Sequence, residues 1–119
     1  MQNYKDLKVW AKAHEYTLNV YEITKLFPKE EIYSLTNQLR RAALSIPANI
    51  AEGCGKNSQL DFANFLNIAL GSANESEYLL ILSKDLNYLK IESFDKLFKL
   101  INEIKGMLIV LISKVRANS

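Results

Sequence analysis

FDKLFKLINEIKGMLIVLISKV, residues 94–115, carries apolar side chains at Phe94, Leu97, Ile101, Ile104, Leu108, Leu111 and Val115. Steps of three and four repeat there without a fault, which puts all seven on one face of an α-helix; a half-buried strand would alternate. Phe98, Ile109 and Ile112 widen that face. A mean step of about 3.5 residues is what left-handed bundle packing requires. Nothing else in the chain alternates like a strand, so the expected fold class is all-α.

Three more periodic segments precede this one, giving expected helices at about 6–26, 34–53, 58–87 and 93–116. In the first, Val9, Ala13, Tyr16, Val20, Ile23 and Phe27 form one stripe, and Leu7, Trp10, Leu18 and Tyr21 form a second beside it. Asp6 is the expected N-cap, and Pro28 the stop. A short turn is expected at Lys29 to Ile32. In the second helix, Ile32, Leu35, Leu39, Ala42, Ile46 and Ile50 keep their step straight through Pro47. Pro47 therefore reads as a kink in one continuous helix, with Gly53 and Gly55 as the stop. Ser58 and Asp61 open the third helix as a capping box. From Phe62 to Asn74 that helix has no charged residue, so it is either the centre of the bundle or partly a subunit interface. Asn87 is the expected left-handed C-cap and Ser93 the cap of the last helix. Short links favour antiparallel neighbours in an up-down four-helix bundle.

Bulk properties set the outer bounds. The chain has 119 residues, 49% of them hydrophobic, with 4 Gly and 2 Pro. One domain with a self-sufficient core is the natural expectation. A formal charge of +2 is small for a dedicated nucleic-acid binder, so any such contact needs local clustering or an oligomer. Cys54 is the one cysteine, which excludes an internal disulfide and a cysteine-based zinc site. With no signal-like N-terminus and no apolar run long enough for a bilayer, the expectation is a soluble, cytoplasmic protein that does not enter a membrane.

Side chains that could carry catalysis are sparse. His14 stands alone beside the first stripe, and Cys54 follows a helix C-terminus, where nothing lowers a thiol pKa. Glu75 and Glu77 diverge by about 200° on a helix and cannot share a site. One histidine cannot supply the paired Glu-x-x-His motifs of a di-metal bundle. The expectation is a protein with no catalytic residues, no metal site and no cofactor.

The basic residues are the remaining candidates. Arg40 and Arg41 lie in a stretch without acids between Glu31 and Glu52. Neighbouring helical residues diverge by about 100°, so the two cannot fork one phosphate. Two readings stay open: an inter-helix or inter-subunit ion pair, with Glu75 or Glu77 as partner, or contact with nucleic acid. Lys5, Lys8 and Lys12 follow three-and-four steps and would line one face of the first helix. That line is either a solvated face or, multiplied in a ring of copies, a band of positive potential able to hold phosphates.

Gln38-Leu39-Arg40-Arg41-Ala42-Ala43-Leu44-Ser45-Ile46-Pro47-Ala48-Asn49-Ile50-Ala51-Glu52-Gly53 resembles the signature of the four-helix bundle proteins encoded in intervening sequences of bacterial 23S ribosomal RNA genes. Asp6-Leu7-Lys8-Val9-Trp10, Phe27-Pro28-Lys29-Glu30-Glu31 and Phe65-Leu66, Ala69, Gly71-Ser72, Glu75 and Glu77 extend the likeness over nearly the whole chain. Asn87 stands where relatives commonly have Gly, and the last helix matches only as an apolar pattern. The resemblance implies a left-handed up-down bundle that assembles as a pentamer. It also implies kinship with accessory proteins of diversity-generating retroelements, which are thought to engage nucleic acid and a reverse transcriptase. The resulting expectation is a non-enzymatic homo-oligomer contacting RNA or an RNA–protein complex through Arg40, Arg41, Lys5, Lys8 and Lys12. The alternative is a protein-interaction scaffold whose arginines are structural.

Overall fold

A computed structural model describes residues 2–119 of the chain. Its helices are α1 (Lys8–Thr24), α2 (Leu35–Cys54), α3 (Gln59–Asp85) and α4 (Ile91–Ala117), with 3₁₀ turns at Tyr4–Asp6 and Lys29–Glu31. No strand occurs among the described residues. Side-chain pairs fix the helix directions. Thr17 of α1 reaches Ala43 of α2, and Thr24 reaches Arg40. Ser45 meets Ser72 of α3, while Gln38 meets Glu75. Glu77 bonds Lys105 of α4, and Lys12 of α1 pairs with Glu103. As numbering rises on α1 it falls on α2, and the same holds between α2 and α3. Residues 7–9 border residues 102–114 while residues 19–26 border 93–97, so α4 runs against α1 and each adjacent pair is antiparallel. Helix α1 packs on α2 and α4, and α3 packs on the same two, closing an up-down bundle of 45 × 24 × 20 Å.

The main expected stripes supply most of the core, whereas Leu18 and Tyr21 of the second α1 stripe, Ile32 before α2 and Ile109 of α4 are exposed. Tyr16, Val20, Leu39, Ile46, Ile50, Leu66, Leu80, Ile101, Ile104 and Leu108 are completely buried. Each buried aliphatic side chain contributes about 1.5–3 kcal/mol. Tyr16 spans the bundle diagonally, its hydroxyl sharing a hydrogen bond with Ser76 of α3. Burial pushes the Tyr16 phenol pKa well above its ordinary value, the Ser76 hydrogen bond pulling the other way.

Helix ends follow cap chemistry, with three departures from expectation. Asp6 does not cap α1. It lies inside the Tyr4–Asp6 turn, which Asn3 caps by accepting from the Lys5 amide at 3.1 Å. Leu7 is then extended and packs against the core, so α1 begins one residue later without a side-chain cap. Ser93 does not cap α4 either; the helix starts at Ile91 behind extended Lys90. Gly53 is no stop. Helix α2 passes through it to Cys54 and ends at the expected Gly55, its C-cap, which keeps a right-handed conformation. Gly53 matters for space, since a Cβ there would stand 2.9 Å from Phe65 Cβ and 3.0 Å from Phe62 Cδ1. Two further expected caps are present. Ser58 accepts from the Asp61 amide, and Asn87 sits at φ 64°. The Tyr88 and Asn87 amides bond back to Ser83 and Lys84, closing α3 in a Schellman arrangement.

Pro47 lies inside α2, buried, with helix continuing on both sides. Having no N–H, it leaves the Ala43 carbonyl without its usual i+4 donor. The buried Thr17 hydroxyl takes that place from across the helix interface, at 3.1 Å, sharing its proton with Ala13 O at 2.8 Å. A carbonyl freed by the sequence of α2 thus becomes a fastening point for α1.

Two predictions follow from these buried contacts. Thr17→Val should cost about 1–3 kcal/mol in chemical denaturation. In a Pro47→Ala background, where residue 47 regains its amide, the same change should cost less, with a coupling of about 1 kcal/mol in the double-mutant cycle. Tyr16 retains its proton when folded and loses it near pH 10 when unfolded, so it favours unfolding above that pH. Stability should therefore decline as pH rises past about 10, and Tyr16→Phe should lessen that decline.

Candidate nucleic-acid interface

The paired arginines separate on folding. Arg40 is half-buried and turns towards α1, its Nε donating to Thr24 Oγ1 at 2.8 Å. Its guanidinium lies 5.1 Å from the centre of the Tyr21 ring. Thr24 in turn donates to the Val20 carbonyl at 2.7 Å, so Arg40 completes a chain of bonds ending in the α1 backbone. Arg41 is exposed on the outer side of α2 and has no ion pair among the described residues. Neither arginine pairs with the carboxylates expected as partners. Glu75 accepts from Gln38, and Glu77 is bound to Lys105 at 3.1 Å, with both of those groups only about a fifth exposed. Lys105 was not legible as a partner because the pairing depends on how α4 lies against α3.

Beside Arg41 is a polar shelf between α2 and α3, a cavity of about 450 Å³ lined by Gln38, Ser45, Asn49, Ser72 and Glu75 among others. Ser72 donates to Ser45 Oγ at 2.9 Å, and Asn49 Nδ2 donates to the same oxygen at 2.9 Å.

The lysine line expected on the first helix is broken at its start. Lys5 belongs to the 3₁₀ turn, and extended Leu7 stands between it and α1, so the three-and-four spacing does not carry it onto the face of Lys8 and Lys12. Lys5 lies 5.8 Å from the Tyr4 ring centre, and Lys12 is paired with Glu103 at 3.2 Å. Lys8 is exposed and flanks a groove of about 540 Å³ between α1 and α4. Leu7, Val9, Met107, Val110 and Leu111 supply its apolar lining, and Lys114 stands on it with Lys8. Sequence reading missed Lys114. A lysine in a last helical turn is read as dipole compensation, and only antiparallel packing returns it to the start of α1.

The other reactive groups are occupied or shielded. His14 stacks on Trp10, ring centres 5.1 Å apart and planes 6° from parallel. Cys54 is buried, and burial pushes its thiol pKa up, away from the nucleophilic thiolate. Among the described residues no group of His, Cys, Asp or Glu is placed to hold a metal ion, and no helix is long and apolar enough to cross a membrane.

Taken together these features define an antiparallel four-helix bundle with cationic side chains on its rim and a polar shelf on one flank. Residues 5–110 match the family of the 23S rRNA-intervening sequence protein, and the chain belongs to that family. A crystal structure of a protein of unknown function from the S23 ribosomal protein family of Bacteroides thetaiotaomicron is similar over 88% of this chain and 95% of its own. The two share 34% sequence identity, with a TM-score of 0.82. No curated protein matches.

Because Arg40 ties α2 to α1, Arg40→Met should lower stability by about 1–2 kcal/mol while leaving helical content intact. Urea denaturation followed by circular dichroism checks it.

Proposed function

We propose that this chain is a non-catalytic, cytoplasmic homo-oligomer that contacts RNA or an RNA–protein complex through exposed cations pooled by assembly. The observation that carries the reading is the meeting of Lys8 and Lys114 on one groove, with no acid bonded to either among the described residues. Lys5 and Arg41 are further exposed cations of the same kind. A single chain with a net charge of +2 attracts a polyanion weakly, whereas a ring multiplies each small cluster. Membership of a family named for ribosomal RNA insertions supports the choice of RNA. Support for a cytoplasmic setting is a free, buried thiol.

One observation favours a second reading, a protein-interaction scaffold without nucleic-acid binding. Arg40, a family-matched cation, is already engaged by Thr24 and Tyr21. Salt separates the two, because phosphate contacts release counterions while docking through apolar surface does not. The protein should bind structured RNA at low micromolar concentration, with affinity falling steeply as salt rises. Changing Lys8→Glu together with Lys114→Glu should weaken binding at least tenfold and flatten the log–log salt slope by about 1.5–2 units. Salt-insensitive or undetectable binding at that concentration would leave the scaffold reading standing.

A further inference from the structure

Residues 4–14 gather three rings into one connected column. The Tyr4 ring meets Trp10 edge-on, with 5.0 Å between centres, and Trp10 stacks on His14 at 5.1 Å. Tyr4 and Trp10 are partly buried against the core, whereas His14 is exposed. A ring has two faces, and Trp10 covers one of them, so the outer face of the imidazole is left to solvent. The column thus ends on a flat, open ring, the kind of surface on which a nucleobase stacks.

Cations bracket this column. At its inner end Lys5 lies 5.8 Å from the centre of the Tyr4 ring. At its outer end Lys8, Ala11 and His14 are all exposed and three residues apart, which places them in one diagonal row across α1. Neighbours in such a row stand about 5–6 Å apart at Cβ, so Lys8 and His14 are about 10–12 Å apart. Ala11, between them, is small enough for an extended strand to pass over. Lys114 lines the same groove as Lys8, and neither is bonded to an acid among the described residues. Lys12 is taken by Glu103, and exposed Glu15, one turn beyond Ala11, repels a polyanion running straight along α1. The course left open from the two free lysines leads to His14.

We infer that the RNA held here is unpaired, its phosphates on Lys8 and Lys114 and one base stacked on His14 as the next ring after Trp10. A duplex cannot make this contact. Its base faces cover one another, and it offers only phosphates, sugars and groove edges. Every base carries a π-face, so the site selects strand state and not sequence. Loops and bulges of structured RNA present such bases. This inference rests on the RNA part of the reading above and names the class of RNA.

Trp10 is the one tryptophan, so its fluorescence reports on the column directly. The test titrates a mixed-sequence RNA strand of about ten nucleotides, a usual length for single-strand sites, against the same strand annealed to its complement. The single strand should quench Trp10 and bind about tenfold more tightly than the duplex. His14→Ala should weaken single-strand binding about five- to tenfold while leaving duplex binding and the melting temperature unchanged. His14→Phe, which keeps a ring, should retain both affinity and quenching. Lys8→Glu with Lys114→Glu should weaken both forms of RNA. A duplex bound as tightly as the single strand, or a His14→Ala variant with full single-strand affinity, would overturn the stacking site and leave RNA contact itself intact. If neither RNA binds at low micromolar chain, both readings fall.

Discussion

Pro47 deprives α2 of one backbone donor in the middle of its buried face, and how that loss is made good governs how α1 lies on α2. An unsatisfied carbonyl between two helices would cost about 1–3 kcal/mol. Thr17 supplies the missing proton from α1, which holds Thr17 against Ala43 and brings Thr24 level with Arg40. With α1 placed in this way, Arg40 reaches inward to Thr24 and Tyr21, while Arg41, about 100° further round, faces out. The different surroundings of two adjacent arginines thus follow from one missing N–H and the geometry of a helix.

Polar groups inside the bundle act as locators. Tyr16 and Ser76 join α1 to α3 across the centre, where the backbones do not approach. Glu77 and Lys105 do the same between α3 and α4 at a partly shielded position. Hydrophobic burial supplies most of the driving force, but apolar stripes alone tolerate sliding; directional contacts penalise a change of register by leaving buried groups unpaired. Gly53 adds a steric term, because only a residue without Cβ lets α2 approach Phe62 and Phe65 so closely.

The surface divides by chemistry. Cations meet an apolar groove on the α1–α4 side, whereas the α2–α3 side offers a polar shelf and a strip without charge. The two flanks lie on opposite sides of the bundle, since α1 and α3 each pack on α2 and α4. The similar solved structure is itself of unknown function.

Local chemistry made the fold legible in the sequence. Apolar steps of three and four marked each helix, and Ser58 and Asn87 marked two ends through caps that need only neighbouring residues. In two of the three places where local rules misled, a tertiary contact was responsible. Leu7 packs against the core and displaces the start of α1 from Asp6, and Gly53 answers to Phe65 rather than to a helix end. The candidate site was much less legible. The sequence identified Arg40, Arg41, Lys5, Lys8 and Lys12 as cations, but pairing depends on residues 16 to about 100 positions away. Only folding gave Arg40 to Thr24, Lys12 to Glu103 and Lys8 to the same groove as Lys114. Periodicity is a property of one helix and can be read along the chain; the neighbour of a charged side chain is a property of two helices and is fixed only when they pack.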